Sequence, residues 1–84
     1  MTGQFTALEQ YLRDLPPSQE ELTLTFERIE QILGGYLPSL AYEAREWWGN
    51  QKQGTQVEAI AWMNAGWMVE IVDLKERWVR FVRQ

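Results

Sequence analysis

Two adjacent tryptophans, Trp47 and Trp48, run into Gly49 and Asn50, and Gln51, Lys52, Gln53 and Gln56 follow closely. Together these side chains suit one kind of chemistry. An exposed indole stacks on a base, Asn and Gln match the donor and acceptor on an adenine edge, and Lys neutralises a phosphate. Lys75 and Arg77 add cations further along. The surface they outline comprises Arg45, Trp48, Asn50, Lys52, Gln56, Lys75 and Arg77, and its ligand would be nucleic acid. The net charge of −4 disfavours that ligand, because phosphate affinity comes from clustered Lys and Arg. The same stretch also reads as a solvated loop after a buried aromatic pair.

Carboxylates are the other candidates for chemistry. Glu27 and Glu30, like Glu43 and Glu46, are three residues apart, a spacing that serves acid–base catalysis or a hard metal. No Gly-rich phosphate loop, second acidic motif or activated nucleophile accompanies them, so they read as solvated helix faces. The chain has no cysteine and no histidine. It therefore lacks thiolate and imidazole metal ligands, Cys–His and Ser–His pairs, and a side chain that titrates near neutrality. The expectation is a protein that is not an enzyme, with no catalytic residues, no metal and no cofactor.

Eighty-four residues, 45% hydrophobic and 24% charged, fit a single globular domain spanning 1–84. The charge is uneven. Residues 1–43 carry seven acids and two bases, while residues 44–84 carry five acids and six bases. No apolar run approaches the ~20 residues of a membrane span. "MTGQFTALEQ" has no basic stretch leading into an apolar one, so it does not read as a signal peptide. A cytoplasmic protein with no membrane partner is expected.

The elements that must position these residues follow from periodicity. Phe5, Leu8, Tyr11, Leu12 and Leu15 lie at helical spacing, and Pro16-Pro17 stops that helix, so 1–17 is an N-terminal helix with a linker. Leu22, Leu24 and Phe26 alternate with threonines as in a short strand. Thr25 is a natural N-cap for a helix with the stripe Phe26, Ile29, Ile32 and Leu33, ended by Gly34. Pro38 opens a third helix whose stripe, Leu40, Ala41, Ala44, Trp47 and Trp48, runs unbroken to Gly49. Thr55 and Glu58 form a capping box for a fourth helix, with Val57, Ile60, Ala61 and Asn64 on one face, Trp62 beside it, and Gly66 after it.

The chain closes in a β-hairpin. With Leu74-Lys75-Glu76 as its loop, Asp73 opposes Arg77, Ile71 opposes Val79, Glu70 opposes Arg80 and Val69 opposes Phe81. Trp67, Val69, Ile71, Val79 and Phe81 then face the core. Met68, Val72, Trp78 and Val82 share the outer face with Glu70 and Arg80. That face defines a second expectation, a protein-interaction or homodimerisation surface built on Met68, Val72, Trp78 and Val82. Five indoles exceed what so small a core holds. Trp48, at a helix end, and Trp78, on the mixed face, are the two expected to reach the surface, with Trp47 in the core.

The expected class is α+β: about four short helices on a small antiparallel sheet with a C-terminal hairpin, in a winged-helix-like order. "FERIEQILGG", "LPSLA", "WWGN", "AWMNAGWMV" and "VDL" together resemble a small prokaryotic domain family of unknown function. Its pattern runs F-x-x-I-E-x-x-L-G, L-P-x-S-A, W-W-x-N, A-W-x-x-A-G-W-x-V and V-D-L. The resemblance covers residues 22–83 and departs from the pattern at Ser39, one place early. It implies a fixed scaffold and brings no activity with it. The first functional expectation is a non-enzymatic binding module for nucleic acid or regulation. The alternative is the protein-interaction module on the outer hairpin face.

Overall fold

The computed structural model describes residues 5–50 and 57–84, including the side chains of all of these except 57 and 58. Helix α1 spans Thr6–Arg13, strand β1 Glu21–Thr25, and helix α2 Phe26–Leu33. Helix α3 spans Ser39–Glu43, a 3-10 turn covers Arg45–Trp48, and helix α4 spans Val57–Asn64. Strands β2, Trp67–Asp73, and β3, Trp78–Arg83, form the C-terminal hairpin. The protein is α+β, with four helices and a three-stranded antiparallel sheet. No helix among the described residues is long and apolar enough to cross a membrane.

Local signals set most of the boundaries. The Thr25 hydroxyl accepts the Arg28 N–H at 3.0 Å, which satisfies a free amide of α2's first turn. Gly34 ends that helix at φ 73° and Gly66 follows α4 at φ 89°, both left-handed. Leu8 and Leu12, one turn apart on α1, are fully buried. The capping box at Thr55 lies outside the described residues.

The third helix departs from expectation. Ala44 is extended, at φ −120° and ψ 115°, and splits the segment into α3 and the 3-10 turn. The single stripe therefore breaks: Ala41 is buried while Leu40 is 58% exposed. The break also re-aims the indoles. Trp48 is only 2% exposed and Trp47 is half-buried, the reverse of the expected order. Trp48 stacks between Phe26, with ring centroids 5.0 Å apart, and Trp62, at 5.9 Å. Trp47 lies edge-on to Trp48 and beside Phe5.

Strand order in the sheet is β1-β3-β2. Leu24 and Leu22 of β1 pair with Val79 and Phe81 of β3, which pair in turn with Val72 and Val69 of β2. Leu24, Val79, Phe81, Val69 and Val72 are buried, with Trp62 of α4 edge-on to Phe81. Trp62 is itself fully buried rather than beside the buried face of its helix, and Asn64 is exposed. Each buried indole N–H has an acceptor: Trp48 the Ala41 carbonyl, Trp67 the Leu12 carbonyl, and Trp62 the Asn50 side chain. The Arg83 guanidinium lies 4.4 Å from the Trp67 ring centroid and donates to the carbonyls of Pro16 and Gln19, tying the linker after α1 to β3.

The expected hairpin register holds at the open end and slips near the turn. Val69 opposes Phe81, but Asp73 opposes Trp78 and Val72 opposes Val79. The loop is Leu74–Arg77, one residue longer than expected, and Arg77 closes it at φ 61°. That extra loop residue must be absorbed before Val69, and a bulge between Val69 and Ile71 absorbs it. Beyond the bulge the faces exchange. Ile71, expected in the core, is 45% exposed, and Val72, expected outside, is 4% exposed. Glu70 still meets Arg80, at 3.2 Å.

Candidate functional site

The described residues expected to bind nucleic acid do not form one surface: Arg45, Trp48 and Asn50 line a cleft beside β2, and Arg77 lines another. Trp48 lies in the core, where no base can stack on it. Asn50 pairs with the exposed edge of β2: its Oδ1 accepts the Val69 N–H and its Nδ2 donates to the Val69 carbonyl, both at 2.8 Å. The same Oδ1 accepts the Trp62 N–H at 3.0 Å. The Asn50 amide groups that would read an adenine edge are thus engaged inside the fold. Arg45 donates to the Val72 carbonyl at 2.6 Å on the same strand edge. Lys75 and Arg77 are exposed at the hairpin tip. Lys52 and Gln56 lie outside the described residues.

The outer face of the sheet does assemble. Three rows cross it, read from β1 through β3 to β2. Thr25, Trp78 and Asp73 form the first, Thr23, Arg80 and Ile71 the second, and Glu21, Val82 and Met68 the third. Trp78, Met68 and Val82 are half-buried and Ile71 is the most exposed apolar side chain of the group. Of the four residues expected to build an interface, Met68, Trp78 and Val82 sit here. Val72 does not, and Ile71 takes its place through the bulge. Arg80 stands in the middle row and pairs with both Glu21 and Glu70. With Asp73 added, carboxylates outnumber cations on this face.

A second feature had no signal in the sequence. Glu30, expected on a solvated helix face, is half-buried. Its Oε2 accepts the Tyr42 hydroxyl at 2.7 Å and the Leu37 N–H at 2.9 Å. The Arg77 guanidinium lies over the Tyr42 ring, 5.3 Å from its centroid. These groups line a cleft of about 380 Å³ with Thr25, Phe26, Glu27 and Glu76. Burial, then the hydrogen bond to the Glu30 carboxylate, holds the Tyr42 phenol above its ordinary pKa. The arrangement clasps α2, α3 and the hairpin tip together. It holds no activated nucleophile, since the phenol is kept protonated and the carboxylate already accepts two donors. Among the described residues no cluster of acids is placed to hold a metal ion.

No curated protein and no solved structure matches the chain. A family described as a domain of unknown function (DUF7662) matches residues 5–84, which adds α1 to the stretch that carried the resemblance in sequence. The chain belongs to that domain family.

Proposed function

We propose that this chain is a non-enzymatic protein-interaction module that docks a protein on the outer face of its sheet. One observation carries the reading. Trp78, Ile71, Met68 and Val82 ring Arg80 on the face opposite the buried rows that the helices cover. Trp is enriched among residues that dominate binding energy, so Trp78 is the anchor. The carboxylates of Glu21, Glu70 and Asp73 give the face a negative rim. The partner is therefore an apolar surface edged by Lys or Arg. A second copy placed face to face would set like charges against each other, which costs affinity. The absence of cysteine suits a reducing compartment, and we place the module in the cytoplasm.

The nucleic-acid reading retains less support. The strand order, with β1 beside β3, is compatible with a winged-helix frame. The helix before the hairpin, α4, reads VEAIAWMN and carries no Lys or Arg for a groove. Lys75 and Arg77 at the tip are the remaining described cations of that surface without a backbone acceptor.

Titration of two probes tests the choice, an amphipathic Leu/Lys helical peptide and a short DNA duplex. Wild type should bind the peptide. Trp78→Ser and Ile71→Ser should each weaken that binding about tenfold or more, with the circular dichroism spectrum unchanged. Lys75→Ala should leave it unaltered. Peptide binding indifferent to both face variants would overturn the proposal. So would duplex binding whose salt dependence flattens in Lys75→Ala.

A further inference from the structure

The two edges of the sheet are treated differently, and the difference points to a second copy of this chain. At the β2 edge, Asn50 occupies both the N–H and the C=O of Val69, and Arg45 takes the Val72 carbonyl. A bulge interrupts the same strand. These are devices that stop another strand from pairing. The β1 edge carries a single contact of this kind, the Gln19 side-chain amide on the Glu21 carbonyl. Glu21–Thr25, ELTLT, contains no proline, no lysine and no bulge.

The direction of its backbone groups follows from two bonds that flank the strand. Arg83 N–H donates to the Glu20 carbonyl and Phe26 N–H donates to the Arg77 carbonyl, both at 2.9 Å. Even-numbered residues therefore bond inward to β3, and by the period of two, Glu21, Thr23 and Thr25 turn their N–H and C=O outward. The Glu21 carbonyl confirms the direction, because the Gln19 side-chain amide reaches it from outside the sheet at 3.2 Å. Among the described residues, Thr23 has no partner for either backbone group.

We infer that β1 pairs antiparallel with β1 of a second copy, about a two-fold axis at Thr23. In that register Thr23 meets Thr23, Leu22 meets Leu24 and Glu21 meets Thr25. Every outward-facing residue then meets another outward-facing one, so the ladder is self-complementary, as a two-fold interface requires. The two Thr23 residues exchange both hydrogen bonds. Half-buried Leu22 gains the partner's Leu24 beside it on the inner face. Glu21, already paired with Arg80, meets a neutral threonine, and the two Glu21 side chains lie at opposite ends of the new ladder. The product is a continuous sheet of two three-stranded halves, with both outer faces on the same side. This concerns the edge, and it stands whether or not the outer face docks a protein.

Single-cysteine variants test it in a chain that has no cysteine of its own. Residues opposite each other in a hydrogen-bonded pair have Cα atoms about 5.5 Å apart, within disulfide reach. Mild oxidation of Thr23→Cys should give a covalent dimer. Ile71→Cys, on the outer face near the other edge, should stay monomeric under the same treatment. Sedimentation should show a wild-type dimer that survives Trp78→Ser. Thr23→Pro, which deletes only an outward N–H, should shift it to monomer with its circular dichroism intact. If Thr23→Pro fails to fold, the cysteine pair still decides. A wild-type chain that stays monomeric at hundreds of micromolar, or cross-linking through Ile71→Cys in preference to Thr23→Cys, overturns the edge pairing. Dissociation by Trp78→Ser does so as well, and assigns the dimer to the face.

Discussion

Asn50 stands beside Val69 as a neighbouring strand would, accepting its N–H and donating to its carbonyl, each at 2.8 Å. One side chain thereby closes a sheet edge, and its oxygen also takes the Trp62 N–H. Asn50→Ala would leave three polar groups unpaired in a half-buried setting. The expected cost is about 2–4 kcal/mol in urea melts, from the penalty for stranded donors and acceptors. Asn50→Asp should fall between, since it keeps an acceptor but sets a carboxylate against the Val69 carbonyl. A loss below about 0.5 kcal/mol for the alanine variant would show that water replaces these bonds without penalty.

The two neighbouring indoles should differ in the order opposite to their expected placement. Trp48, stacked between Phe26 and Trp62, should cost roughly 3–5 kcal/mol on truncation to Ala, much of a small domain's stability. Trp47→Ala should cost distinctly less. Trp48→Phe should cost less than Trp48→Ala, about 2–3 kcal/mol, because it keeps an aromatic ring in the stack but loses the bond to the Ala41 carbonyl and leaves a cavity where the larger indole packed. Equal losses for the two alanine variants would contradict the packing described.

Tyr42 makes stability depend on pH at the alkaline end. Its phenol is neutral when protonated, and burial with the Glu30 hydrogen bond raises its pKa in the folded state. The folded chain thus holds the proton more tightly than the unfolded one. The contribution is complete below the unfolded value of about 10 and is lost as pH rises through the higher folded value. Subtracting the alkaline absorbance titration of Tyr42→Phe from that of wild type isolates this group. Its midpoint should lie above 10.0. A midpoint at or below that value would mean that the Glu30 contact does not hold in solution.

The bulge in β2 can be tested by placing threonine at each of two adjacent positions. Val72→Thr puts a hydroxyl into the buried row against Val79 and should cost about 1–3 kcal/mol. Ile71→Thr, on the exposed face, should stay within about 0.5 kcal/mol of wild type. The reverse order of losses would restore strict alternation along the strand.

What the sequence determined by itself is local. The Thr25 cap, the left-handed Gly34 and Gly66, the stop after α1 and the short strand before α2 each rest on chemistry between residues a few places apart. The pairing of Val69 with Phe81 was legible too, because alternation and opposite charges agree on it. Tertiary structure decided the rest, for identifiable reasons. A strand has a side-chain period of two, so one extra loop residue at Arg77, with its compensating bulge, exchanged Ile71 and Val72 between core and surface. The break at Ala44 carries no glycine or proline to announce it, yet it decides which of Trp47 and Trp48 fills the core. The Glu30 carboxylate finds Tyr42 twelve residues on, Asn50 finds Val69 nineteen residues on, and Glu21 finds Arg80 fifty-nine residues on. Such partners are set by how the helices and the sheet dock, and no periodicity along the chain encodes them.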